Sequence, residues 1–257
     1  MVHLNLWNKK FWVIIVFLNI CLTSFSQNTR INTSENIAWY NFFGQFQLNN
    51  KTSIHAEYQW RRDNFISNWQ QSLLRVGINY HLNPNVLFRV GYGWIETYNY
   101  GEIPLNSFGK DFTEHRIFQM AQLSHKEGLL NISHRFINEQ RFLGRYNSAQ
   151  SEFEESYVYL NRLRYMLRLQ YPIFNSINKH KPYLAFYNEL FIGYGKNVNE
   201  NIFDQNRIAA LLGTKFNDKL RLEAGYLNQR LQFAREINGQ NVFQNNNGLI
   251  VNLYLNL

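Results

Sequence analysis

From Gln27 onward the chain repeats with a period of two. Between Tyr159 and Tyr171, one face takes Tyr159, Leu163, Tyr165, Leu167, Leu169 and Tyr171, with Asn161 as the polar exception. The other face takes Arg162, Arg164, Arg168 and Gln170. Leu249, Val251, Leu253, Leu255 and Leu257 alternate with Ile250, Asn252, Tyr254 and Asn256 in the same way. So do Ser72, Leu74, Val76, Ile78 and Tyr80 with Arg75, Gly77, Asn79 and His81, and Ile54, Ala56, Tyr58 and Trp60 with His55, Glu57, Gln59 and Arg61. Side chains of a strand point to opposite faces in turn, so each segment has one apolar and one polar face.

Eleven segments carry this pattern: about 37–48, 52–63, 70–82, 86–98, 112–126, 129–142, 158–171, 182–194, 205–216, 219–235 and 247–257. The weakest is 112–126, where Phe118 and Met120 share a face with Glu114 and Arg116. Short turn-forming stretches (Asn49-Asn50, Asn83-Pro84-Asn85, Lys126-Glu127-Gly128, Asn217-Asp218) alternate with longer polar ones at 99–111, 143–157, 195–204 and 236–246. Asn238-Gly239 is a candidate tight turn within the last of these. The pattern predicts an all-β fold: an antiparallel transmembrane barrel of the outer-membrane kind, with short turns facing the periplasm and long loops outside. Single-chain bacterial barrels have even strand counts, so about twelve strands are expected, within a range of roughly 10–12. The twelfth would come from Asn28–Asn36.

The composition supports lipid exposure. There are 21 Phe, 16 Tyr and 6 Trp, yet mean hydropathy is −0.40. Tyr and Trp at strand ends would form the interfacial girdles of a barrel. A soluble periplasmic β-sandwich is the competing fold. Its buried face would favour Val, Ile and Leu over Tyr, and its wet face would not concentrate Arg. At the N-terminus, Lys9-Lys10, the apolar run Phe11–Leu18 and the small-x-small site Ser24-Phe25-Ser26 form an export signal over residues 1–26. The mature chain, 27–257, is then one domain. The single cysteine, Cys21, lies inside the signal, and Ile20 before it does not suit a lipidation site. These features place the protein in the outer membrane of a Gram-negative bacterium. Its expected partners are outer-membrane lipid and the barrel-assembly machinery during biogenesis.

The formal charge is +8, with 26 Lys and Arg against 18 Asp and Glu. The alternation puts Arg61, Arg75, Arg89, Arg135, Arg141, Arg162, Arg164, Arg168, Arg207 and Arg221 on the lumen side, together with Glu57, Glu139, Glu189 and Glu223. Two readings stay open. One is a narrow pore favouring anions, as rings of Arg do. The other is a structural barrel plugged by Arg–Glu ladders. Across the 129–142 and 158–171 hairpin, placing 142 opposite 158 sets Glu139 opposite residue 161 and within reach of Arg162 or Arg164.

Other chemistry is thinly supported. A membrane-embedded lipid or peptide hydrolase needs a nucleophile beside its base, but Ser124-His125 and Ser133-His134 point to opposite faces of a strand; only a cross-strand pair such as Ser133 with His125 would serve. His55, His81, His115, His125, His134 and His180 are scattered, so no metal site and no cofactor is expected. Nucleic acid is not an expected partner, because the arginines are spread over all strands of an exported chain. The acidic residues Glu152, Glu154 and Glu155 in the 143–157 loop suit a solvated surface or a partner contact.

Several runs resemble the outer-membrane barrels grouped as domain-of-unknown-function family 2490. They are Glu114-His115-Arg116, His134-Arg135 leading to Glu139-Gln140-Arg141-Phe142, and Asn161-Arg162-Leu163-Arg164-Tyr165. Gln205-Asn206-Arg207 and Leu222-Glu223-Ala224-Gly225-Tyr226-Leu227-Asn228-Gln229 complete the order, which covers nearly the whole mature chain. The chain departs from the family at Ile137, where a second basic residue is usual. The resemblance implies an outer-membrane barrel and no activity.

Overall fold

The structure is a computed structural model that describes residues 30–173, 181–198 and 201–257. The export signal expected over 1–26 lies outside the described residues, as does His180. The unit Ile31–Leu257 is all strand and connection. Its strands are β1 (Ile31–Gln47), β2 (Thr52–Asp63), β3 (Asn68–Asn83), β4 (Val86–Thr97), β5 (Phe112–Glu127) and β6 (Leu130–Arg145). They continue with β7 (Ser156–Pro172), β8 (Lys181–Tyr194), β9 (Phe203–Lys215), β10 (Leu220–Ile237) and β11 (Gln240–Asn256). Each pairs antiparallel with the next, and β11 closes on β1 to make an eleven-strand barrel.

The closing pair is parallel. Its register runs from Ile31↔Val242 to Gln45↔Asn256. This follows from the odd count, because the first and last strands of an odd meander run in the same direction. No separate twelfth strand from the stretch Asn28–Asn36 occurs among the described residues, which begin at Arg30. Ile31–Asn36 instead continues β1, paired with Val242–Asn247 of β11. The expected 236–246 loop is also mostly strand. Asn238 and Gly239 both hold positive φ, 51° and 71°, and close a two-residue hairpin of the kind whose twist matches its strands. Period-two patterning is invisible there because Asn241, Gln244, Asn245, Asn246 and Asn247 are polar on both faces.

The alternation sorts side chains as the sheet requires. Leu74, Val76, Ile78, Val90, Leu163, Leu212 and Leu249 are exposed on the outside. Near the long-loop end Trp60 and Trp69 meet edge-on at 6.2 Å, and the Arg62 guanidinium lies over both. That is the pairing of aromatic and cation suited to a membrane–water interface. The polar exceptions outside are hydrogen-bonded: Tyr159 donates to Asn161 Oδ1 at 2.7 Å, and Gln119 and Gln140 bond at 3.0 Å. The inside mixes apolar residues such as Ile37, Trp39, Phe191 and Ile250 with buried charges.

Gly248 makes the seam possible. A Cβ there would stand 1.7 Å from the backbone oxygen of Ile37, its register partner. At Gly44, on the same seam, a Cβ meets only the flexible rings of Phe42 and Phe46, at 3.1 Å or more. Gly248→Val is therefore expected to abolish the compact band that a closed barrel gives on an unboiled gel, and Gly44→Ala to retain it. Equal behaviour of the two variants would contradict the parallel seam.

Candidate functional site: the arginine-lined lumen

Contacts between strands that are not neighbours can only cross the interior, and they identify the inner wall. Arg75 of β3 reaches Glu139 of β6 (Nη2 to Oε1, 3.5 Å), Arg135 of β6 reaches Glu189 of β8 (2.9 Å), and Arg168 of β7 reaches Glu223 of β10 (2.6 Å). Arg207 of β9 lies over the ring of Trp39 on β1.

Glu139 is the centre of this network. It has no exposed surface. Its Oε2 accepts from Arg162 Nε at 2.9 Å and Nη2 at 2.6 Å, and its Oε1 accepts from Arg164 Nη1 at 2.7 Å. Arg116 and Arg75 approach the same Oε1 at 3.4 and 3.5 Å. Glu139 stands opposite Arg162, one residue from the register that the hairpin length suggested. Arg164 also donates to Glu189 Oε1 through Nε and Nη2.

Towards the long-loop end, Glu114 accepts a bidentate pair from Arg141 (2.7 and 2.9 Å) and a bond from Arg116 Nε (2.6 Å). Asp204 accepts from Arg162 Nη1 at 2.6 Å. Towards the short-turn end, Glu223 gathers Arg168, the hydroxyls of Tyr183 and Tyr254, and the amide of Asn252. There Glu57 pairs with Arg75 at 3.2 Å, and Arg89 donates to Asn79. Arg221 lies 3.7 Å over Tyr254. Arg61, over the ring of Trp39, sits on this wall as well. Glu114, Arg116 and Asp204 sit there too, and the sequence reading did not select them. The Glu-x-Arg spacing in β5 was the available signal, hidden by Phe118 and Met120 on the same face.

The network divides the lumen. On the long-loop side is a chamber of about 180 Å³ lined by Arg61, Glu114, Arg141, Arg162 and Arg207, among others. On the short-turn side is a vestibule of about 300 Å³ lined by His55, Glu57, Arg89, Arg135 and Arg221. Glu139 lines neither. The 98–111 loop folds across the mouth of the chamber. Glu102 N–H donates to Glu35 on β1 at 2.9 Å, Tyr100 OH accepts from Asn246 on β11 at 3.1 Å, and Pro104 O accepts from Arg235 on β10 at 2.6 Å.

The structure does not bring Ser133 and His125 together: Ser133 stands opposite Ser124, and His125 opposite Ile132. Ser133 Oγ bonds Ser124 Oγ at 2.9 Å, His125 stacks on His134, and His134 bonds the Tyr165 hydroxyl. No group of three or more potential metal ligands occurs among the described residues.

A closed meander barrel whose lumen is filled by paired arginines and carboxylates is the class these features define. The sequence profile described as "Protein of unknown function (DUF2490)" matches residues 36–240, and the chain belongs to that family. Among solved structures, the NanC porin is similar, with 14% identity, a TM-score of 0.46, and 86% of this chain and 98% of that chain covered. No curated protein sequence matches.

Removing one member of a buried, hydrogen-bonded ion cluster leaves the others uncompensated. Glu139→Gln should therefore cost about 3–5 kcal/mol by urea unfolding in detergent. Double-mutant cycles with Arg162→Gln and Arg164→Gln should show strong coupling to both. Coupling of about 1 kcal/mol or less, the worth of a solvated pair, would mean a water-filled lumen.

Proposed function

We propose that the chain is a Gram-negative outer-membrane barrel, exported through a cleaved signal over residues 1–26, whose lumen is closed at mid-height in the resting state. Outer-membrane lipid and the barrel-assembly machinery are its partners in this reading. The apolar outer face supports it, since a surface of Leu, Val, Ile and Tyr on a sheet without open edges suits hydrocarbon. The closed lumen rests on one observation: Glu139, without exposed surface, is approached by arginines from β3, β5 and β7. Such a barrel is a structural or receptor element rather than an open pore.

A second reading is a narrow anion-favouring channel that opens when the layer rearranges. The excess of arginines over carboxylates along the wall favours it, since basic linings select anions. Planar-bilayer recording separates the two. The wild-type protein is expected to give no unitary conductance steps, and Glu139→Ser with Arg75→Ser to give small anion-selective ones. Steady anion-selective steps from the wild type would overturn the closed reading in favour of the channel.

A further inference from the structure

The chamber on the long-loop side of the Glu139 layer is charged out of balance. Six arginines line it (Arg61, Arg116, Arg141, Arg145, Arg162 and Arg207), against two carboxylates, Glu114 and Asp204. Both carboxylates are already committed. Glu114 is held by Arg116 and Arg141, and Asp204 by Arg162.

Arg61 and Arg207 are left with neutral acceptors. Arg61 is 4% exposed, and its guanidinium bonds only the amide oxygens of Gln59 and Gln71. No carboxylate among the described residues is within salt-bridge distance of it. Arg207 is 8% exposed and donates to Gln205 Oε1 at 3.1 and 3.2 Å; its carboxylate contact, Glu189 Oε2, is 3.9 Å away. Both guanidinium groups lie over one indole. Their central carbons are 3.8 Å (Arg61) and 4.8 Å (Arg207) from the Trp39 ring centroid, so they are separated by no more than those two distances together. Two buried cations held this close repel one another, and an amide dipole does not discharge them. At the rim, Arg145 Nε is buried without a hydrogen-bond acceptor.

We propose that this chamber binds a small organic anion whose carboxylate, sulfonate or phosphate group sits between Arg61 and Arg207. The oxyanion supplies the close negative charge that neither guanidinium has, since their hydrogen-bond acceptors are the amide oxygens of Gln59, Gln71 and Gln205. Gln70, Gln71, Gln229 and Gln232 make the wall of the chamber polar, and Tyr100 and Leu105 of the crossing loop border it. A space of about 180 Å³ suits a small molecule. The vestibule at the other end has no such pair on one indole: Arg89 alone bonds a neutral group there, Asn79. Arg135 has Glu189 there, and Arg221 is more open and stacked on Tyr254.

Equilibrium binding to the full-length barrel in detergent tests this independently of conductance. Titration calorimetry with succinate is expected to show saturable binding, displaced by inorganic phosphate but not by the neutral isostere succinamide. Binding should weaken at least tenfold in Arg61→Gln and in Arg207→Gln, and be unchanged in Arg221→Gln. Retained heat-modifiable mobility certifies that each variant is folded. Should an arginine variant fail to fold, the comparison of succinate with succinamide on the wild type still decides. Absence of saturable binding of both succinate and phosphate, equal binding of succinamide, or succinate affinity unchanged in both arginine variants would each overturn the proposal.

Discussion

Closure of the sheet is the constraint on which everything else in this molecule depends. A strand in hydrocarbon has no water to satisfy its N–H and C=O groups, so the sheet must leave no edge. With eleven strands the last meets the first running the same way, and the seam has to be parallel. Parallel ladders use evenly spaced, slanted bonds and are slightly weaker per residue than antiparallel ones. The seam offsets this with length, running the whole of β1 down to Gln45, and with an inner amide bond from Asn41 to Asn252 at 2.8 Å. Below it, Gln47 N–H donates to the carbonyl of Leu257.

Once closed, the barrel has an inside too narrow to be roomy and too wide for small aliphatic residues to fill. Arginine suits that intermediate width. It is long, planar, permanently charged and able both to fork onto carboxylates and to stack on rings. The lumen uses both capacities. Arg162 and Arg164 share Glu139 while lying 5.1 and 4.5 Å from the Phe191 ring, and Arg207 lies over Phe191 and Trp39. The carboxylates tie strands that the sheet itself does not join. The same arrangement leaves Arg61 with amide acceptors and Arg207 with amides and one carboxylate 3.9 Å away.

Much of this was legible in the sequence, because a wall with an apolar outside and a polar inside makes alternation sharp. Where one face is the apolar outside and the other the lumen, as in Tyr159–Tyr171, every second residue declares its side. The signal fades above the apolar belt. Ile31–Asn36 and Gln240–Asn246 are strands with polar residues on both faces, and they read as tail and loop. The expectation of an even strand count then assigned the tail to a twelfth strand. The bulge between Gln232 and Glu236 further blurs the period in β10. Glu114 and Arg116 were obscured for a different reason: their inner face continues into Phe118 and Met120, which fill the lumen rather than face lipid. The hairpin register was legible to within one residue. The convergence of several arginines on Glu139 was not, because it joins strands far apart in the chain.

Disulfide trapping across the seam tests the central claim most directly. In a chain whose one native cysteine, Cys21, is replaced by serine, cysteine pairs are placed at Ser34 with Asn245 and at Phe42 with Leu253, both register partners across β1 and β11. Crossed pairs, Ser34 with Leu253 and Phe42 with Asn245, serve as the antiparallel alternative. Efficient oxidation of both in-register pairs in membranes, and none of the crossed ones, is expected. Oxidation of the crossed pairs, or of no pair because another strand lies between β1 and β11, would contradict an eleven-strand barrel with a parallel seam.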